Sequence, residues 1–129
     1  RPALERLEPA ASAAGAMKVV PLSVAGAFHT PIMDGAVEQL TRALEEVELS
    51  DTRIPVYSNV DAKPHTSADE IRQLLARQVV NPVRWDDSIN AMLGDGVDGF
   101  LEAGTGRVLR GTIKRITRKT PTDGFGDQP

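Results

Sequence analysis

His29 and His65 are the only two histidines among 129 residues, and cysteine is absent. Without cysteine there are no disulfides, no thiolate nucleophile and no cysteine-ligated zinc, so no metal site is expected. What remains is acid–base chemistry at an imidazole. His29 is the better placed of the two. It stands in Ala25-Gly26-Ala27-Phe28-His29-Thr30-Pro31, between a strand-like run and the start of a helical pattern. Gly26 permits an unusual backbone conformation, Phe28 supplies an apolar wall, and Pro31 fixes the exit of the chain. A general base needs such rigid placement. The competing reading is a hydrogen-bonded turn histidine with no chemical role. His65, in Lys63-Pro64-His65, lies among loop residues.

The elements that must position His29 follow from periodicity. Pro2 to Ala14 has a helical pattern on Leu4, Leu7 and Ala11, with Gly15 as a C-cap, although Pro9 argues against an unbroken helix. Lys18 to Val24 reads as a strand in which Pro21 marks an edge or bulge. Asp34 to Val47 is the clearest amphipathic helix. Ile54 to Val60 is a short strand and Asp61 to Thr66 a loop. Ser67-Ala68-Asp69-Glu70 has the spacing of a capping box, so a helix starts there and stops before Asn81-Pro82. A helix after Trp85 ends at Gly94 or Gly96. Val97 to Glu102 is a strand, and Arg107 to Arg118 a last helix with Arg107, Arg110, Lys114, Arg115 and Arg118 outward. From Thr120 the Pro/Gly/Asp-rich tail is expected to lack order. Helices alternating with about four short strands predict an α/β layered core with a mostly parallel sheet.

Composition sets the limits. The chain is 40% hydrophobic and 26% charged with a formal net charge of −3, which carries no nucleic-acid signature. No apolar run reaches the ~20 residues that span a bilayer. A cytoplasmic protein with no membrane or nucleic-acid partner is expected. The chain does not begin with Met, and its small sheet would be thinly buried alone, which leads to the expectation that it is a piece of something longer.

Four blocks carry a family resemblance: Val24-Ala25-Gly26-Ala27-Phe28-His29-Thr30-Pro31-Ile32-Met33, Pro55-Val56-Tyr57-Ser58-Asn59-Val60, Gln78-x-x-Asn81-Pro82-Val83-Arg84-Trp85, and Phe100-Leu101-Glu102-x-Gly104-x-Gly106-x-Val108-Leu109. In order and spacing they resemble the C-terminal part of malonyl-CoA:acyl carrier protein transacylase, over Met17 to Ile116. The resemblance implies the C-terminal part of an α/β-hydrolase-like acyltransferase core at residues 25–118. Residues 1–24 would be the end of an inserted ferredoxin-like subdomain, and 119–129 a disordered tail.

It also implies malonyl transfer from coenzyme A through a serine acyl-enzyme to acyl carrier protein, in fatty acid synthesis, by a protein that is monomeric when complete. No cofactor is implied, the coenzyme A thioester being the substrate. By position, His29 matches the general base, Gln78 the residue whose backbone carbonyl orients it, and Phe28 the wall over the malonyl α-carbon. Asn59 either helps to line the pocket or serves turn chemistry. Departures matter. None of Ser12, Ser23, Ser50, Ser58, Ser67 or Ser88 has a Gly-x-Ser-x-Gly context, so the nucleophile elbow is missing, with the arginine for the malonate carboxylate and the oxyanion-hole residues. A base without its nucleophile should transfer nothing. Ala25 and Thr30 stand where serines are usual, and Thr105 where proline is usual.

Alternatives are the equivalent segment of a polyketide or multidomain fatty acid synthase, or a non-catalytic truncated module that only binds a partner. Gly104-Thr105-Gly106 ahead of the last helix could meet a phosphate or merely allow close packing. The basic face of that helix could meet an acidic carrier protein or be simply solvated.

Overall fold

The computed structural model describes residues 2–21 and 24–126. Arg1, Leu22 and Ser23 of the expected first strand, Asp127 to Pro129 of the expected tail, and the side chain of Leu4 lie outside the described residues.

Helix α1, Pro2–Ala13, runs unbroken through Pro9, contrary to expectation. Proline removes only the bond to the carbonyl four residues back, and the alanine-rich sequence around it has high helix propensity on an exposed surface. The helix ends in a Schellman motif. Gly15, at φ 94°, donates to the Ser12 carbonyl and Ala16 to that of Ala11, both at 3.0 Å. The described residues between 18 and 24 contain no strand. Pro21 has no N–H to give to a ladder, and no described strand lies alongside.

A 3-10 turn at Pro31–Met33 leads into α2, Asp34–Glu45. Val37, Leu40 and Leu44 turn inward while Glu38, Gln39 and Arg42 stay wet, as the 3.6-residue period requires. Strand β1, Val56–Ser58, pairs antiparallel with β2, Lys63–His65, in the register Val56 to His65. The segment read as a loop therefore returns as the second arm of a hairpin. Helix α3, Ala68–Gln78, starts where the capping box places it. The Ser67 hydroxyl accepts from the Glu70 amide, and Asp51 Oδ1 accepts from the Ala68 amide at 2.9 Å.

Helix α4, Trp85–Gly94, and strand β3, Phe100–Ala103, follow, then α5, Val108–Ile116. The segment expected to be disordered forms β4, Thr122–Phe125, parallel to β3 with Phe100 opposite Thr122. One four-stranded sheet is thus replaced, among the described residues, by two pairs, one antiparallel and one parallel. The chain remains α/β. Its core is Leu74 and Ala76 of α3, Ile89 of α4, Ile113 of α5 and Ala62 of the hairpin, with Ile89 1% exposed. Ser88 is buried beside Ile89 with its hydroxyl donating to the Arg84 carbonyl at 2.8 Å. α3 packs on α2 and β1.

Candidate active site

The last four carbonyls of a helix have no intrahelical donor and must find one elsewhere. In a helix that continued past α3, the amide of residue 82 would reach the Gln78 carbonyl. Residue 82 is proline and has no amide, so that carbonyl stays open. His29 fills the vacancy: its Nδ1 lies 2.9 Å from the Gln78 carbonyl oxygen, and its backbone N–H donates to the next carbonyl, Val79, at 2.9 Å. Side chain and main chain of one residue thus clamp onto consecutive carbonyls of one helix end.

That double grip requires a particular backbone. His29 has φ 63°, in the left-handed region that most L-residues avoid. The turn around it is closed locally. Thr30 Oγ1 donates to the Ala27 carbonyl at 2.7 Å, and the Met33 amide donates to the Thr30 carbonyl at 3.0 Å. Gly26 lets the Phe28 ring lie against the backbone, since a Cβ there would sit 3.3 Å from Phe28 Cε2. The ring is 53% exposed beside the exposed His29.

The clamp fixes the tautomer. A carbonyl only accepts, so Nδ1 carries a proton, and in the neutral ring the lone pair is on Nε2. The Gln78 side-chain Nε2 also lies 3.4 Å from Nδ1, but a protonated Nδ1 cannot accept from it. The shorter carbonyl contact decides, and Gln78 Nε2 donates instead to the Asn81 carbonyl at 3.1 Å. An imidazole with Nδ1–H held and Nε2 free is the form that takes up a proton from a hydroxyl.

The structure brings His29, with Phe28 beside it, onto the Gln78 carbonyl, and brings Asn59 together with Gln78 but not with His29 or Phe28. Asn59 is half-buried on a cleft of about 150 Å³, which Gln78 also lines with Val56, Tyr57 and Leu74, while its carbonyl accepts from the Arg84 amide at 2.9 Å. Neither His29 nor Phe28 lines that cleft.

His65 has a structural setting that its place in the sequence did not show. Its Nε2 lies 3.1 Å from Asp61 Oδ2 and its Nδ1 3.2 Å from Glu70 Oε2, with the side chain 14% exposed. Burial pulls this imidazole's pKa down, but the hydrogen bonds to Glu70 and Asp61 outweigh burial and raise it above the ordinary 6.5. Burial is the largest single influence on Asp61 and pushes it up, but the bonds from His65 and the Lys63 amide and the two nearby positive charges together reverse that, leaving it below its ordinary 3.8. Among the described residues no group of acidic or imidazole side chains could hold a metal ion.

The N-terminus of α5 is already occupied. Glu102 accepts from the amides of Leu109 and Arg110, each at 3.0 Å, and from Arg110 Nε at 3.2 Å. The Arg110 amide is the main cause of the depressed Glu102 pKa. A phosphate at Gly104-Thr105-Gly106 would find those donors taken. Arg110, expected on the wet face, turns inward to Glu102 and the Gly106 carbonyl, with its side chain 15% exposed, whereas Lys114 and Arg115 stay exposed.

No protein-family model matches the chain. It is 38% identical over 113 residues to the malonyl CoA-acyl carrier protein transacylase of Bacillus subtilis, covering 88% of this chain and 36% of that protein. Against the Escherichia coli transacylase it is 40% identical over 114 residues, covering 88% and 37%. A solved malonyl-transacylase, in complex with its type II PKS acyl-carrier protein, superposes with TM-score 0.89 at 39% identity, covering 99% of this chain and 41% of that one. The fold is therefore that of part of an α/β acyltransferase core. The particular proteins that it resembles are the malonyl CoA-acyl carrier protein transacylases, and the chain spans a little over a third of the length of the curated relatives it matches. No helix among the described residues is long and apolar enough to cross a membrane.

Proposed function

We propose that this chain is the base-bearing portion of a malonyl-CoA:acyl carrier protein transacylase, with His29 as the general base. The observation that supports this reading most is the clamp on His29, which in the neutral ring places the proton on Nδ1 and leaves the lone pair on Nε2. In the proposed reaction a serine outside this chain gives its hydroxyl proton to His29 Nε2 as its oxygen attacks the thioester carbonyl of malonyl-CoA. The carbon–sulfur bond then breaks, and the coenzyme A thiolate leaves with that proton. The phosphopantetheine thiol of the carrier protein reverses these steps, so acyl enzyme returns to free serine. Gln78 holds the imidazole through its backbone carbonyl, and Phe28 forms the wall beside the malonyl α-carbon. We give Asn59 no part in the transfer, because it lines a cleft that neither His29 nor Phe28 lines. The carrier protein would meet the exposed Lys114 and Arg115 rather than the inward Arg110.

A second reading, in which the malonyl group is loaded onto a polyketide carrier, draws support from the structural neighbour solved with its type II PKS acyl-carrier protein. Both readings share one test. In the complete transacylase His29→Ala should lower malonyl transfer to carrier protein by ~10²–10⁴-fold without loss of fold, in line with the usual worth of general acid–base help. Transfer within threefold of wild type would overturn the base assignment.

A further inference from the structure

The clamp on His29 is only as well placed as the two carbonyls that form it. Both lie where α3 stops, and something must hold the stopped end in shape. The backbone supplies two donors, both to the Arg77 carbonyl, the amide of Val79 and, at a long 3.3 Å, that of Val80, and Pro82 has no amide to give. A side chain does the rest. Asn81 Nδ2 donates to the Arg77 carbonyl at 2.7 Å, replacing the bond that a continuing helix would have drawn from the backbone of residue 81. The Gln78 side chain returns the grip, with Nε2 donating to the Asn81 carbonyl at 3.1 Å and within 3.4 Å of that of Pro82. The segment from Arg77 to Pro82 is thereby tied at both ends, with the carbonyls of Gln78 and Val79 projecting between the ties toward His29.

We infer that Asn81 is a positioning residue for His29, fixing the imidazole tautomer through the Arg77 carbonyl and the closed end of α3. It touches neither the ring nor a reacting atom. The inference rests on the reading of His29 as base for its catalytic consequence, but its physical content, a fixed Nδ1–H tautomer, stands without it. Once the tie is lost, the Gln78 carbonyl is no longer aimed at Nδ1, and the ring is free to carry its proton on Nε2 instead.

Ring nitrogen-15 NMR of His29 reads this directly. In the unaltered chain the Nδ1–H tautomer should dominate at a pH where the ring is neutral. Asn81→Ala should shift the tautomer ratio toward Nε2–H by about tenfold, the equivalent of one hydrogen bond. Asn81→Asp keeps the shape but cannot donate to a carbonyl when ionised, and should shift it likewise; it carries the test if the alanine variant does not fold. Asn81→Ser, whose hydroxyl can reach the carbonyl four residues back, should restore most of the native ratio. Ser67→Ala weakens α3 at its other end and should lower the melting temperature while leaving the ratio unchanged. An unchanged ratio in both Asn81→Ala and Asn81→Asp, or an equal shift in Ser67→Ala, would overturn the inference. A shifted ratio together with full transfer by His29→Ala would leave the positioning role intact and remove the base reading instead.

Discussion

His29 and Gln78 are forty-nine positions apart in sequence and 2.9 Å apart in space, Nδ1 to carbonyl oxygen. The contact exists because a proline four residues beyond Gln78 withholds the amide that would otherwise have occupied that carbonyl. A helix break and a histidine turn are therefore parts of one arrangement.

The turn itself can be tested apart from any chemistry. At φ 63° His29 occupies a region that asparagine shares readily and a β-branched residue does not. His29→Asn should cost little through the backbone, and His29→Val about 1–3 kcal/mol more. Urea midpoints of the two variants give the comparison; equal midpoints would mean that the turn relaxes out of the left-handed region.

His65 should make stability depend on pH in a defined direction. Its folded pKa is raised, so its contribution is complete below the ordinary 6.5 and is lost as pH rises through the higher folded value. The lowered Asp61 value works the other way: its contribution is present above 3.8 and lost as pH falls through the folded value. The contact is therefore strongest between those limits. Glu70 and Arg77 of α3 and Asp61 face the same hollow, Lys63 adjoins Asp61, and Arg84 Nη1 donates to the Asp61 carbonyl. Melting temperature should fall by roughly 2–6 °C between pH 5.5 and 8.5, for a partly exposed contact worth about 1 kcal/mol. His65→Gln should flatten that slope. A slope that survives in the variant would assign the pH dependence elsewhere.

Gly124 and Arg110 should be coupled. A Cβ on Gly124 would fall 2.5–2.6 Å from both terminal guanidinium nitrogens of Arg110, whose Nε is held by Glu102. Either the guanidinium leaves its partner or β4 moves off β3. Gly124→Ala should cost about 1–3 kcal/mol in the native background, as overpacking does, and much less when Arg110→Ala is already present. Equal costs in the two backgrounds would show that the strand accommodates the methyl group without Arg110.

The elements that read correctly from sequence are those whose signals are local. α2 has its apolar period, and α3 has Ser67 at one end and Asn81-Pro82 at the other. Of those that did not, β4 is set by a partner more distant in sequence. Nothing in Thr122–Phe125 has the apolar alternation of a strand; it is ordered by pairing with β3 and by Arg110 lying over Gly124. Lys63–His65 contains a proline and still pairs, because the turn after Ser58 brings it back onto β1. Pro9 does not stop α1, since one lost bond weighs less than the alanines around it. At the site, the turn at His29 was visible as Gly, aromatic and Pro punctuation. That its ring meets Gln78 was available only through resemblance, because no local pattern links residues forty-nine apart.

Helix α3 is capped by Ser67 at its start and stopped by Pro82 just past its end, and the grip on His29 lies at that end. One residue more or less between these points would turn the end of the helix by about 100° and move it about 1.5 Å, aiming the Gln78 carbonyl away from the imidazole. Point changes along the wet side of α3 leave that phase intact. What the wet side of this helix has to conserve, then, is its count of residues rather than their identity: the helix is a spacer whose length carries angular information.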